Sequence, residues 1–379
     1  MTPVGECGAA RPTAEGATRP ESLRPKDRGV RLTLESGCAG QPTEGAKLSG
    51  ARTEGRRKTI GVFRRPFFCL WPRSLLQVTG LAKRDIQIPV FDHSAEPNVG
   101  RMPPWVRQSL AGGGYSDTAQ RVHGNRLTTV CEEGRCPNRG ECWGRGTATF
   151  MLLGDTCTRA CGFCAVRTGR PDGVDEDEPR RLVEAVRAMA LEYLVLTSVN
   201  RDDLPDGGAG IFAATLRGLR QALPALGLEV LTPDFRGCQE QAVESLAAAL
   251  GDDGSLVWGH NVETVPSLYK TVRKGAKYER SLRLLELAAR QPRMVAKSSL
   301  MLGLGETFEE VEAVMRDLRE AGVTRLALGQ YLRPTRYHLP VKAYIEPAAF
   351  AAYEETARAL GFDWVKAGAM VRSSYHAEE

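Results

Sequence analysis

Between residues 147 and 360, short apolar, β-branched runs alternate with amphipathic helical stretches six times over, and few folds accept that pattern. Strands are expected at Thr147–Leu153, Tyr193–Val199, Leu228–Leu231, Leu256–Gly259, Met294–Met301 and Leu326–Gln330. Helices are expected at Glu176–Leu191, Ile211–Leu223, Gln239–Leu250, Tyr278–Ala289, Phe308–Ala321 and Pro347–Leu360. Strands apolar along their whole length are buried on both faces, which describes a parallel sheet wrapped in helices. Six βα units fall short of a closed eightfold barrel. A partial (βα)6 barrel and a doubly wound open sheet both fit the count.

The loop leaving the first strand carries Cys157-Thr-Arg-Ala-Cys161-Gly-Phe-Cys164. Three thiols are one fewer than a closed tetrahedral zinc site or a fully ligated [4Fe–4S] cluster requires. The shortfall leaves one metal position open to a small molecule. The competing reading is a zinc knuckle that borrows a fourth ligand from elsewhere. A second triplet, Cys131, Cys136 and Cys142, precedes the strand at spacings that do not form the close pairs of zinc ribbons. Gly134, Pro137 and Gly140 make its expected form a loop. Six of ten cysteines thus lie within 34 residues, which reads as metal ligation in a reducing cytoplasm rather than as a disulfide framework. Cys7, Cys38, Cys69 and Cys238 are assigned no role.

Charge separates the tail from the folded part. Residues 1–80 hold 14 Lys and Arg against 7 Asp and Glu, and residues 81–379 hold 37 against 39. The near-neutral remainder argues against a nucleic-acid surface, and no apolar run is long enough for a membrane span. Residues 1–80 show no sustained apolar period and read as a disordered basic extension. Read instead as a transit peptide, they would send the chain to a mitochondrion or plastid, although Glu6, Glu15, Glu21, Asp27 and Glu35 are unusual there. Residues 81–146 are expected to carry the first triplet, 147–365 the barrel, and 366–379 a C-terminal segment.

The Cys-x3-Cys-x2-Cys spacing resembles that of the radical S-adenosylmethionine (SAM) enzymes, which use the partial barrel with a [4Fe–4S] cluster on the loop after the first strand. Over roughly Met102 to Ala377 the chain resembles one family among them, the lipoyl synthases. The matching stretches include Val130-Cys-Glu-Glu-Gly-Arg-Cys-Pro-Asn-Arg-Gly-Glu-Cys-Trp143, Thr197-Ser-Val-Asn-Arg-Asp-Asp-Leu-Pro-Asp-Gly-Gly208, Leu231-Thr-Pro-Asp-Phe-Arg-Gly237 and Arg372-Ser-Ser-Tyr-His376. Asn200 stands where the family usually has Asp, and Ser299 where Gly is expected.

The resemblance implies insertion of two sulfur atoms at C6 and C8 of an octanoyl chain held on a lysine of a lipoyl carrier domain. Dehydrogenase E2 subunits and the glycine cleavage H protein are the implied carriers, with a flavodoxin or ferredoxin as electron donor. Cys157, Cys161 and Cys164 are implied to hold the cluster that cleaves SAM. Cys131, Cys136 and Cys142 are implied to hold an auxiliary [4Fe–4S] cluster, the sulfur source, with a serine on its fourth iron; Ser374 is preferred to Ser373. Thr197, Ser198, Asn200, Asn261, Glu263, Lys297 and Gly303 are the implied SAM contacts. The alternatives are a radical SAM methylthiotransferase, whose extra cysteines belong to a separate larger domain, and a non-enzymatic zinc protein. His123, His260, His338 and His376 lack ligand spacing and read as structural. Arg236, Lys270, Arg273, Lys274 and Lys277 form a basic run that suits either solvent or an acidic carrier.

Overall fold

A computed structural model describes residues 93–106 and 114–379. The tail expected over 1–80, with Cys7, Cys38 and Cys69, lies outside the described residues. The first described helix, α1 (Tyr115–Gly124), leads into a two-residue strand β1 (Thr128–Thr129). Two short helices follow, α2 (Val130–Glu133) and α3 (Arg139–Gly144), and then strand β2 (Thr149–Leu152). The small parallel pair β3 (Thr156–Cys157) and β4 (Arg167–Thr168) folds the next loop back on itself. Five units come next: α4 (Glu178–Met189) and β5 (Tyr193–Ser198), α5 (Ala209–Ala222) and β6 (Gly227–Leu231), α6 (Gln239–Ala249) and β7 (Leu256–Gly259), α7 (Tyr269–Val272), α8 (Tyr278–Ala289) and β8 (Met294–Leu302), α9 (Phe308–Glu320) and β9 (Arg325–Gln330). Helix α10 (Pro347–Ala359) and strand β10 (Trp364–Gly368) end the order.

All six expected strands and all six expected helices are present. Their sheet runs β1-β2-β5-β6-β7-β8-β9-β10, parallel throughout except for β1, which pairs antiparallel with β2. Strand β10 was not expected. It adds a seventh parallel strand beside β9 and crosses the expected 365/366 boundary. The expected loop around the first cysteine triplet is instead wound into α2 and α3, with Gly134 between them. A Cβ at Gly134 would meet the Val130 carbonyl oxygen at 2.7 Å, so the turn after α2 closes only without a side chain.

Helix faces seal the outside. In α4, Leu182, Ala185 and Val186 are buried at helical spacing, and Pro179 starts the helix where an amide hydrogen has no partner to lose. In α9, Thr307 and Glu310 form a complete capping box ahead of buried Val311, Val314, Met315 and Leu318. Among the described residues no helix is long and apolar enough to cross a membrane.

Side-chain contacts show that the sheet is curled. Lys297 on β8 reaches over β7 to both carboxylate oxygens of Glu229 on β6, each at 2.9 Å. Tyr193 on β5 donates to the same carboxylate at 3.0 Å, and the Lys297 ammonium lies 4.8 Å from the Trp364 ring centroid on β10. The parallel strands also follow one another across the sheet in chain order, without the reversal that a doubly wound sheet requires. The chain after β10 then spans the open side: the Thr149 hydroxyl on β2 donates to Ser374 Oγ at 3.0 Å. The architecture is a partial barrel, and a flat doubly wound sheet is excluded.

That spanning segment passes close over β9, where a Cβ at Gly329 would meet the Val371 carbonyl oxygen at 2.1 Å. Gly329→Ala is therefore expected to unseat the segment, costing about 1–3 kcal/mol in chemical denaturation and opening the chain after Gly368 to limited proteolysis. Unchanged stability and protection would show that the segment does not pack there.

Candidate functional site

Leu153 and Gly154 leave β2 with left-handed backbone, φ 68° and 85°. The Leu153 amide is held by the half-buried Glu178 carboxylate at 2.8 Å, which fixes where the cysteine loop begins. Within that loop Arg159 is 7% exposed and makes four hydrogen bonds. Its Nε and Nη2 donate to Asp202 at 2.7 and 2.6 Å, and its Nη1 and Nη2 donate to Asp234 at 2.8 and 2.6 Å. Asp202 follows β5 and Asp234 follows β6, so one side chain ties the loop to two strand ends. Burial alone would raise the Asp234 carboxyl, but Arg159 outweighs it, with help from Arg280, and holds the pKa at about 2. This share of stability is therefore full above the ordinary value of 3.8 and is lost as pH falls through about 2.

Backbone contacts complete the cradle. Gly162 N donates to Val272 O at 2.9 Å, Leu339 N donates to Gly162 O at 3.0 Å, and His338 Nε2 lies 3.0 Å from Cys164 O. The amides of Arg159 and Asn200 point at Cys157 Sγ, at 3.4 and 3.3 Å. Amide donors aimed at sulfur favour a thiolate, the form that binds metal. Burial pushes the Cys161 thiol up to about 11, opposed by the nearby Arg273, and pushes Cys164 up as well. Metal binding here must displace protons.

The expected SAM contacts divide. Thr197 and Ser198 end β5 with their hydroxyls on backbone carbonyls, of Leu231 at 2.9 Å and Val199 at 3.0 Å. Asn200 meets the cysteine loop through its backbone, accepting from Thr158 N and Oγ1 at 3.0 Å each. Asn261 donates to Glu263 at 3.2 Å and to Ser373 Oγ at 3.4 Å, while its buried Oδ1 has no partner. Glu263 has φ 68°, and burial raises its carboxyl against Arg273, Asn261 and Arg372. Lys297 is already matched by Glu229, so an incoming carboxylate meets it only if that buried pair opens. The space beside Gly303 is filled by the chain itself: a Cβ there would meet Ala343 O at 2.3 Å and Gln330 Nε2 at 2.4 Å.

The other triplet shares one cavity. Cys131, Cys136, Cys142, Thr149, Arg372 and Ser374 are among its lining residues, whereas Ser373 is not and bonds to Asn261 instead. The cavity includes Thr149 and Tyr193, the first residues of β2 and β5, so it lies beside strand starts and not at the C-terminal mouth. Asn138 Nδ2 donates to Met370 O at 2.6 Å, and the Tyr375 hydroxyl donates to Glu141 at 3.0 Å; these contacts latch the C-terminal segment over the thiols. Burial pushes Cys142 up to about 12, reinforced by Cys136 and Cys131. Burial also raises Cys131, while donors on Thr149 and Trp143 oppose it. The Trp143 indole N–H is buried without an aligned partner. An orphaned donor beside a thiol suits a deprotonated, metal-bound sulfur, which accepts more strongly.

His260 is a buried, structural histidine, whereas His123 is exposed. His260 is buried between Thr232 O at 2.9 Å and Ser281 Oγ at 3.0 Å, and burial lowers it to about 4. Arg273 is buried too and donates to Tyr269 and Ser281, so it leaves the expected basic surface run. Arg159, Asp202 and Asp234 were not among the expected site residues, because the two carboxylates stand 43 and 75 residues from the arginine and only the folded sheet brings them together.

The profile of the Radical SAM superfamily matches residues 151–329. The chain is 51% identical over 279 residues to "Lipoyl synthase" of Rubrobacter xylanophilus, covering 73% of this chain and 85% of that protein. "Lipoyl synthase" of Coxiella burnetii is 52% identical over 280 residues, covering 73% and 88%. The chain belongs to the lipoyl synthase family. As a radical SAM lipoyl synthase it is an enzyme that uses SAM and a [4Fe–4S] cluster. The cysteine loop described above falls inside the matched superfamily region.

Lipoyl synthase geometry at this loop depends on Arg159 by the contacts above. Arg159→Met leaves Asp202 and much of Asp234 uncompensated, and should cost about 3–5 kcal/mol in urea denaturation of the metal-free protein. Wild-type stability in that variant would mean the clamp is ornamental.

Proposed function

We propose that this lipoyl synthase inserts two sulfur atoms, at C6 and C8, into an octanoyl chain carried as a lysine amide on a lipoyl carrier domain. The proposed carriers are dehydrogenase E2 subunits and the glycine cleavage H protein, and the proposed electron donor is a flavodoxin or ferredoxin. The proposed setting is the cytoplasm. Cys157, Cys161 and Cys164 hold one cluster; Cys131, Cys136, Cys142 and Ser374 hold a second. When bound, these groups supply radical hydrogen abstraction, which carbons too weakly acidic for any base in water require, and sulfide for the new bonds. The observation that carries the reading is the cavity in which Ser374, delivered from beyond the last strand, meets three thiols of the N-terminal segment.

The chain's own groups suit these tasks. Three thiolates around each metal centre bring negative charge into a poorly solvated interior. The charge of Arg273 acts on Cys161, and the half-buried Arg372 interacts electrostatically with Cys136 and Glu263, so each set has a guanidinium nearby. Asn261 and Glu263 lie between the sets, within reach of Ser373 and the field of Arg372. The partnerless oxygen of Asn261 is an acceptor available to an amine or hydroxyl of the cosubstrate. Ser374 presents a hard oxygen to an iron that prefers thiolate, so that bond is the weakest in its set.

Anaerobic reconstitution should give about eight irons and eight sulfides per chain with a brown colour, whereas about two colourless zincs would support a structural zinc protein. With SAM, a reductant and an octanoylated peptide, mass spectrometry should show two hydrogens replaced by two sulfurs; deoxyadenosine formed without sulfur in the peptide would refute the substrate. Ser374→Cys should assemble both clusters and turn over poorly, and full activity in that variant would remove the role given to the oxygen ligand.

A further inference from the structure

The Arg159 side chain ties the cysteine loop to β5 and β6, whereas Gly162 and Cys164 meet a different stretch, residues 331–341 after β9. Leu339 N donates to Gly162 O and His338 Nε2 donates to Cys164 O, each at 3.0 Å. A carbonyl oxygen can only accept, so the imidazole proton belongs on Nε2, and Nδ1 accepts from the Thr335 hydroxyl at 2.8 Å. The approach is tight: a Cβ at Gly162 would meet Leu339 Cδ1 at 2.8 Å. Yet residues 331–341 contain no helix or strand, so their own shape has to come from side chains.

Arg333 supplies it. The residue is half-buried, and each of its five N–H groups has an acceptor. Nε donates to His338 O at 2.8 Å and Nη2 to Arg336 O at 2.6 Å, both inside the stretch. The other three reach the segment before α1. Nη1 donates to Glu96 O at 2.7 Å and to Asn98 Oδ1 at 3.3 Å, and Nη2 donates to His93 O at 2.7 Å. Asn98 Oδ1 also accepts from Val341 N, and Val99 N donates to Val341 O, each at 2.9 Å. Five neutral oxygens around one planar cation match the guanidinium fork, and a lysine with three donors cannot satisfy them.

We infer that Arg333 is a positioning residue for Cys164, and that residues 93–99 are the outer brace through which it acts. The inference rests on the proposed assignment of Cys157, Cys161 and Cys164 to the SAM-cleaving cluster. The route is short: Arg333 fixes the His338 backbone, and the His338 ring and the Leu339 amide fix the carbonyls of Cys164 and Gly162. Without the brace, ordering the irregular stretch would draw on the same contacts that hold the loop. The segment before α1 precedes the auxiliary triplet in sequence but serves the other triplet. The cysteine loop is thus held at two points, by Arg159 near Cys157 and by Arg333, through His338, at Cys164.

Two measurements on the full chain test this. In the metal-free protein, hydrogen exchange read by mass spectrometry should be about tenfold faster over residues 160–166 in Arg333→Lys than in wild type, the equivalent of one hydrogen bond to a charged group. Exchange in α5, which the brace does not touch, should be unchanged. In the reconstituted and reduced protein, adding SAM should shift the electron paramagnetic resonance signal of the cluster that binds it, and that shift should weaken or disappear in Arg333→Lys. If Arg333→Lys does not fold, Asn98→Ala removes the acceptor shared by Arg333 and Val341 and should move both readouts in the same direction. Wild-type exchange over residues 160–166 overturns the inference. Faster exchange that appears equally in α5 also overturns it, because the variant would then be destabilised throughout. So does faster exchange with an unchanged response to SAM, because the brace would then stop short of the site. Cys164→Ala separates the two levels of argument. If the response to SAM survives it, the ligand assignment fails. If the response is lost there while the Arg333 and Asn98 variants behave as wild type, only the role of Arg333 fails.

Discussion

Arg159 is the point from which the cysteine loop takes its shape. A guanidinium removed from water is costly unless its donors are matched, and here the planar fork meets two carboxylates fixed at neighbouring strand ends. Those carboxylates do not move independently: Asp234 is completely buried and also accepts from Arg280, while Asp202 accepts from Thr158 of the loop itself. The protein's own side chains thus tie the loop to two strand ends. Three thiols on a floppy loop would have to be ordered at the moment of binding, with the loss of backbone freedom set against the metal–sulfur bonds. The clamp moves that ordering into the folding of the barrel.

A second constraint lies across the open side of the sheet. A half-barrel leaves two edges, and an exposed edge invites pairing with other chains. Here β1 covers one edge antiparallel, and the segment after β10 crosses back to β2, latched through Asn138, Glu141 and Thr149. One crossing therefore closes the interior and brings Ser374 into the cavity lined by the three thiols. Inside, the Tyr193–Glu229–Lys297 layer fills the space with mutually satisfied charge, where apolar side chains would leave no polar wall for the cavity above.

What could be read in advance followed from locality. The six strands that declare themselves are short, largely apolar runs rich in Leu and Val, and their helices carry clean apolar faces. Strand β10 escaped notice because Trp-Val-Lys-Ala-Gly is short, alternates with Lys366, and has one fully buried side chain, Val365. Helices α2 and α3 hid behind Gly134 and Pro137, which ordinarily signal a loop; four to six residues are too few to show a period. The cysteines were legible because their spacing carries meaning on its own. Arg159 was not, since its partners stand 43 and 75 residues away and only the folded sheet brings them near. Lys297 shows what a fold adds: a cation on a strand suggested a carboxylate ligand, and the folded sheet pairs it with Glu229.

The crossing segment also sets a timetable. Ser374 is added 225 residues after Thr149, when every βα unit has already been synthesised. The three thiols beside β2 emerge first and wait through the making of the whole sheet before their oxygen partner exists. Nascent chains therefore expose an incomplete thiol nest to the cell throughout synthesis, and only finished molecules can shut it.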